Sequence, residues 1–100
     1  MTTQEVQQQV VEIIKKHLEQ QKGIRFFLFG SRVSGKYNER SDYDFGIEAK
    51  EKISVKIKFA IQDELDALPI LQKIDFVDFS QTSQSFKNEA MKYSKILYEN

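Results

Sequence analysis

The 100-residue sequence has no cysteine and no excess of charge of either sign. Without cysteine, the chain has no disulfide framework, no thiolate metal site and no thiol nucleophile. Fifteen lysine and arginine residues balance fifteen aspartate and glutamate residues, so no overall positive field is present to hold a long nucleic acid through its phosphates. We therefore do not expect a cysteine enzyme or a protein that binds long nucleic acid.

The sequence also lacks a long apolar run. No segment approaches the roughly 20 apolar residues that a membrane-spanning helix needs, and the N-terminus has no basic region followed by an apolar stretch. We therefore expect a cytoplasmic protein without membrane contact. The composition, 40% hydrophobic, is that of a globular protein, and its length fits one domain, which we assign to residues 1–100.

Hydrophobic periodicity predicts three helices and three strands. In chain order they are a helix over residues 1–20, strands over 24–29 and 43–48, a helix from Ser54 to Pro69, a strand over 73–79 and a helix that begins at Thr82 or Ser83. The last helix carries a stripe formed by Phe86, Ala90, Tyr93 and Leu97, which we interpret as core packing. The order α-β-β-α-β-α predicts an α/β (α+β) fold with a small mixed sheet backed by helices.

The first predicted strand ends in a dipeptide suited to anion binding. Glycine at position 30 lets a ligand or backbone approach closely, and backbone N–H groups are free where a strand turns into a short helix. Ser31 adds a hydroxyl donor and Arg32 adds a cation. A phosphate bound there would meet several donors at once.

The next strand brings two carboxylates together. Asp42 and Asp44 lie two residues apart, so their side chains leave the same face of the sheet and both can reach one hard cation. Two close carboxylates repel each other, and a divalent ion, magnesium carried by the phosphates of a nucleotide, would neutralise the pair. The sequence therefore favours a magnesium and nucleotide site at this point.

A third carboxylate is expected from the strand over residues 73–79. Asp75 and Asp78 compete for this place, and only one of them can face Asp42 and Asp44. If this strand lies beside the second strand, Asp75 could bridge the metal site and take a proton from an attacking hydroxyl. A phosphate site with three carboxylates suits in-line attack on the α-phosphate of a nucleoside triphosphate.

The segment from Gly30 to Asp44 resembles the Gly-Ser-x10-Asp-x-Asp signature of the nucleotidyltransferase superfamily that includes DNA polymerase beta. Its form, Gly-Ser-Arg-x-x-Gly followed by Ser-Asp-x-Asp, is most similar to the minimal nucleotidyltransferases. The leading helix, the apolar strand before the signature and the later acidic strand all lie where that family has them. The resemblance thus covers the whole chain and implies the nucleotidyltransferase fold.

The resemblance implies a role for each motif residue. Gly30 and Ser31 would hold the β- and γ-phosphates, and Arg32 matches an arginine that is frequent in the family. The implied catalytic residues and ligands of two Mg²⁺ ions are Asp42, Asp44 and Asp75. ATP or another nucleoside triphosphate would be the substrate. Minimal members often pair with a small helical HEPN protein, and in some toxin–antitoxin modules they transfer AMP to it.

Two functional hypotheses follow. The first is a magnesium-dependent enzyme that transfers a nucleoside monophosphate, AMP from ATP, to a hydroxyl of a HEPN-type partner. The second is a binding module that holds a nucleotide without turnover and neutralises or stabilises that partner. We favour the enzyme, because a pocket released from catalysis has no need of a repulsive carboxylate pair. Transfer to a small molecule such as an aminoglycoside is a weaker third reading, since the short chain leaves little wall for such a pocket.

Overall fold

The computed structural model describes residues 1–100 and contains a four-stranded mixed sheet. The elements are α1 (Thr3–Leu18), β1 (Ile24–Phe29), α2 (Ser31–Ser34), β2 (Tyr43–Ala49), α3 (Val55–Asp66), β3 (Ile74–Asp78), a 3₁₀ turn (Phe79–Gln81), α4 (Gln84–Met91) and β4 (Ser94–Glu99). The strand order is β3-β2-β1-β4, in which β2 and β3 are parallel and the other pairs are antiparallel. The predicted fold class, a mixed sheet backed by helices, is confirmed.

Side chains at the helix starts fix where α1 and α3 begin. The hydroxyl of Thr2 accepts a hydrogen bond from the N–H of Glu5, whose carboxylate accepts one from the N–H of Thr2. The hydroxyl of Ser54 accepts from the N–H of Ile57 at the start of α3. Such caps satisfy N–H groups that have no partner within the helix. None of the helices is long and apolar enough to cross a membrane.

The two faces of the sheet are covered unequally. On one face, α1 and α3 bury a main core of 14 residues, which includes Phe26 and Phe45. The opposite face carries a small aromatic cluster of Phe27, Phe29 and Phe79. Glycine is required at position 46, because a Cβ atom there would lie 2.0 Å from Cε2 of Phe79. The second face is therefore only partly covered, and the side chains of Asp44 and Asp75 lie on this face.

The C-terminal segment differs from its predicted structure. The last helix ends at Met91, and Ser94–Glu99 forms a fourth strand that pairs with β1. Phe86 and Tyr93 are 45% and 53% exposed, so the predicted core stripe is wrong for these two residues. The physical reason is the second edge of β1, a buried strand whose backbone groups would lack hydrogen-bond partners without β4.

Candidate active site

Gly30 joins β1 to the single-turn helix α2. Its φ of +82° is a conformation that residues with a side chain rarely adopt. Its N–H donates to the carbonyl of Tyr93 at 3.0 Å, and its carbonyl accepts from the N–H groups of Val33 and Ser34. A Cβ atom at position 30 would lie 2.7 Å from Oδ2 of Asp44. The predicted phosphate-binding turn and the predicted metal-binding carboxylate are therefore in direct proximity.

Strand register determines which carboxylates meet. Asp44 lies opposite Phe29 on β1 and opposite Asp75 on β3. Residues that face each other on neighbouring strands project to the same side of a sheet. Asp78 instead lies opposite Ile47, further along the parallel pair. The structure therefore places Asp75, and not Asp78, beside Asp44.

The carboxylates of Asp42, Asp44 and Asp75, which we term the acidic cluster, repel one another. Burial, the negative charges of Asp75 and Asp42 and a hydrogen bond with Asp75 together raise the pKa of Asp44 above its usual value. Lys73 opposes this shift only in part, and its Nζ lies 3.3 Å from Oδ1 of Asp75. The site therefore holds more negative charge than its own cations balance.

Asp78 is a buried carboxylate with its own partners. Its Oδ2 lies 3.2 Å from Nζ of Lys58, and its Oδ1 accepts from the N–H and the hydroxyl of Ser80 at 3.0 and 2.7 Å. Burial raises the pKa of Asp78, but these hydrogen bonds from Ser80 and Lys58 outweigh burial and lower it overall. Asp78 thus stabilises the end of β3 and takes no part in the acidic cluster.

The acidic cluster fits a magnesium ion that arrives with a nucleotide. By themselves, no three or more His, Cys, Asp or Glu side chains lie in an arrangement that could hold a metal ion. Mg²⁺ is usually held by one or two carboxylates together with substrate phosphates, and it prefers hard oxygen ligands. The carboxylates of the cluster supply such oxygens. Burial and then the charges of Asp75 and Asp42 raise the pKa of Asp44, and a cation at this place would neutralise those charges.

Ser31 and Arg32 differ in how free they are to bind a ligand. The hydroxyl of Ser31 has no hydrogen-bond partner within the protein, whereas its carbonyl accepts from the N–H of Gly35 at 3.1 Å. The guanidinium of Arg32 donates to the carbonyls of Ser41 and Glu39. The phosphate-binding role inferred for Ser31 and Arg32 stays a prediction, and the geometry favours Ser31.

Sequence reasoning missed an exposed aromatic side chain near the site. Phe86 on α4 packs with its ring centroid 6.5 Å from that of Phe29, the residue opposite Asp44, and 5.9 Å from that of Phe79. The pattern placed Phe86 in the core because its spacing from Ala90 is helical. The nearest signal in the sequence is Ser83, whose hydroxyl caps α4 and so fixes where Phe86 lies on the helix.

A comparison with protein families identifies the superfamily. Residues 12–100 match the model for polymerase beta nucleotidyltransferases. The chain belongs to this family. A curated relative, Probable protein adenylyltransferase MntA of Haemophilus influenzae, is 27% identical over 71 residues. That match covers 71% of this chain and 62% of the relative, so it spans less than two thirds of the relative's length.

Solved structures share the fold. One chain of a toxin–antitoxin complex with AMP-PNP superposes with a TM-score of 0.73 at 19% identity, covering 94% of this chain and 73% of its own length. One chain of the complex between a tri-AMPylated HEPN toxin of Shewanella oneidensis and MNT antitoxin gives 0.72 at 17% identity, with 99% and 74% covered. The predicted nucleotidyltransferase fold and the resemblance to minimal nucleotidyltransferases are confirmed.

Proposed function

We propose that the protein is a magnesium-dependent nucleotidyltransferase that transfers AMP from ATP to a hydroxyl of a HEPN-type partner protein. The observation that carries this proposal is the acidic cluster beside the turn at Gly30, with Asp44 facing both the glycine and Asp75. A carboxyl whose pKa is raised by burial and by the charges of two neighbouring aspartates, as that of Asp44 is, is typical of a functional site. Membership of the nucleotidyltransferase family supports nucleotidyl transfer as the class of reaction.

Each group has a role in the proposed transfer. Ser31 would contact the β- and γ-phosphates, and Gly30, whose N–H already donates to the carbonyl of Tyr93, would allow their close approach. Asp42, Asp44 and Asp75 would hold magnesium, which would supply charge neutralisation of the triphosphate and polarisation of the α-phosphate. Asp75 accepts the proton of the acceptor hydroxyl. The hydroxyl oxygen forms a bond to the α-phosphorus, the bond from that phosphorus to the oxygen leading to the β-phosphate breaks, and pyrophosphate leaves with the bonding electron pair.

The relatives support the choice of donor and acceptor. The Haemophilus influenzae relative is named as a protein adenylyltransferase, and two structures of this fold contain AMP-PNP or an AMPylated HEPN toxin. From these we infer ATP as the nucleotide and a protein hydroxyl as the acceptor. The proposal includes a hetero-oligomer with the HEPN-type partner, the cytoplasm as its location, and partner contacts that complete the acceptor side of the site.

The test is transfer of label from ATP to a HEPN-type protein encoded beside this chain. The protein, magnesium, α-labelled ATP and the partner are incubated, and the partner is examined for label. Asp44→Asn should abolish labelling. Asp63→Asn, the same chemical change at an exposed position on α3, should leave labelling intact. Partner binding without label in the unmodified protein would overturn the proposal and favour a non-catalytic module.

A further inference from the structure

We propose that Arg32 is a positioning residue that holds Asp42 at the metal site by clamping the loop before β2. The inference rests on the proposed function, because it concerns how the chain places one of its metal-binding carboxylates. Arg32 acts in this proposal through backbone carbonyls and does not touch the nucleotide. The inference rests on four observations: the exposure of Asp42, the hydrogen bonds of the Arg32 guanidinium, the two tyrosine rings near that guanidinium, and the backbone hydrogen bond of Tyr43.

Apart from Arg32, the backbone before Asp42 is held by a turn in which the N–H of Ser41 donates to the carbonyl of Asn38 and the hydroxyl of Ser41 accepts from the N–H of Asn38, both at 3.1 Å. The Asp42 side chain has no partner of its own. Asp42 precedes the first residue of β2, its side chain is exposed, and it makes no side-chain hydrogen bond or ion pair within the protein. The residue that follows is fixed, because the N–H of Tyr43 donates to the carbonyl of Lys73 at 2.9 Å. A carboxylate that must share a cation with Asp44 therefore needs an anchor on its N-terminal side.

Arg32 supplies that anchor. Its Nε and Nη2 atoms both donate to the carbonyl of Ser41, at 3.2 and 2.8 Å, and Nη2 also lies 3.4 Å from the carbonyl of Glu39. The carbonyl of Ser41 belongs to the rigid peptide unit whose nitrogen is that of Asp42. A planar guanidinium fork that grips this carbonyl therefore restrains the peptide plane from which the Asp42 side chain departs.

Two tyrosines hold the guanidinium in place. Cζ of Arg32 lies 3.8 Å from the ring centroid of Tyr43 and 5.0 Å from that of Tyr37. Tyr43 is buried and stacks on Phe45 of the main core with its ring nearly parallel. Stacking on an aromatic face favours a planar cation such as Arg. The clamp is thus supported by the core, whereas Tyr37 covers it from the solvent side.

Direct phosphate contact by Arg32 is the competing assignment. Arg has five N–H groups, and the observed bonds engage the Nε–H and Nη2 and leave Nη1. If Arg32 bound a phosphate, its removal would lower the affinity for the nucleotide both with and without magnesium. A clamp on Asp42 affects only the magnesium-dependent part of the affinity, because Asp42 binds the cation and not the phosphate.

The test measures AMP-PNP binding by calorimetry, with magnesium and with EDTA. Arg32→Lys keeps the charge but loses the fork, and it should weaken magnesium-dependent binding about 10-fold, the usual loss when a group that orients a metal ligand is removed. Its affinity in EDTA should not change. In an Asp42→Asn background Arg32→Lys should have no further effect, since the carboxylate that it positions is gone. Arg40→Lys, at an exposed loop position whose side chain makes no hydrogen bond or ion pair, is the matched control.

Three results would overturn the proposal. If Arg32→Lys weakens AMP-PNP binding equally in EDTA, Arg32 is a phosphate ligand. If the losses of Arg32→Lys and Asp42→Asn add in the double variant, Arg32 acts independently of Asp42. If magnesium-dependent binding does not change in Arg32→Lys, Arg32 has no role in it. If Arg32→Lys does not melt cooperatively, the same binding measurement is made on Tyr37→Ala. We expect this variant to lose magnesium-dependent affinity by a smaller factor, and no loss would overturn the proposal. Asp42→Asn with unchanged magnesium dependence would instead refute the metal role in the proposed function.

Discussion

Asp44 and Asp78 lie near the start and at the end of the parallel pair of β2 and β3, and their pKa values move in opposite directions. Burial raises the pKa of both carboxyls, although Asp78 exposes a smaller fraction of its surface to solvent than Asp44 does. The difference comes from the neighbours. Asp78 has Lys58 and Ser80, whereas Asp44 has the charges of two further aspartates.

Asp78 is a carboxylate that stabilises the fold, whereas we propose that Asp44 is a carboxylate that binds a ligand. A paired carboxylate lowers the free energy of the folded state, and one crowded by like charges raises it. Crowding of this kind persists where an external cation relieves it. The uncompensated charge of the acidic cluster supports its proposed role in binding a ligand, whereas the charge of Asp78, compensated by Lys58 and Ser80, stabilises the fold.

The largest expected effect is on catalysis by Asp44→Asn. This change removes a metal-binding carboxylate and should lower AMP transfer by about 100-fold or more, the scale seen when a group that stabilises transition-state charge is lost. The melting temperature at neutral pH should not fall, because a source of repulsion is removed along with the charge. A markedly lower melting temperature of Asp44→Asn by calorimetry would contradict the conclusion that Asp44 destabilises the fold. Asp63→Asn serves as the control.

Asp78→Asn should have the opposite effect on stability. The change removes the charge that pairs with Lys58 and should lower the free energy of unfolding by roughly 1.5–3 kcal/mol, the range for hydrogen bonds to charged groups. Urea unfolding measures this loss. A Lys58→Met/Asp78→Asn double variant should lose less than the sum of its single changes. Equal stability losses for Asp44→Asn and Asp78→Asn would break the distinction between the two regions.

Acid should bring the stabilities of these proteins together. A carboxyl whose folded pKa is raised binds more protons when folded, so its contribution to the free energy of unfolding falls as pH rises through that pKa. The advantage of Asp44→Asn over the unmodified protein should therefore be full at neutral pH and shrink as pH falls toward 3.8. Thermal melts across this range measure it.

For Asp78 the sign is reversed. Its folded pKa is lowered, so the stability it contributes is present above the ordinary value of 3.8 and is lost as pH falls through the folded pKa. The deficit of Asp78→Asn should hold from neutral pH down to that value and close only below it. A deficit that closes already between pH 6 and 5 would contradict this assignment.

The smallest effect is expected from Lys73. This side chain lowers the pKa of Asp44 in part, so Lys73→Gln should raise that pKa further, with little change in stability because the lysine is largely exposed. NMR titration of the side-chain carboxyl carbon measures the shift. Lys58→Gln is the matched control, and it should raise the pKa of Asp78 while leaving that of Asp44 unchanged.

Local patterns were sufficient for most of the elements and for the chemistry of the site. The periodicities that predict α1, α3, β2 and β3 arise from one apolar face on each element, and β1 is predicted by a short continuous apolar run, so a single chain segment contains each signal. The spacing of Asp42 and Asp44 likewise indicates a shared face without knowledge of the fold.

The fourth strand and the role of Arg32 were not predictable in this way. Ser94–Glu99 follows a helical stripe, and it becomes a strand because β1 offers an unpaired edge more than sixty residues away in the sequence. The sequence predicts Arg32 as a phosphate ligand beside Gly30, and this stays a prediction. What the sequence does not indicate is that its Cζ lies 3.8 Å from the ring centroid of Tyr43 and 5.0 Å from that of Tyr37.

The sequence by itself determined which chemical groups the site contains, a glycine turn and closely spaced carboxylates, because these follow from residue identity and short spacing. Only the tertiary structure decided their neighbours: Asp75 beside Asp44, Lys58 beside Asp78 and Arg32 on the loop before Asp42. Strand register and side-chain contacts join segments that are distant in the chain, and the packing of the whole domain selects among them.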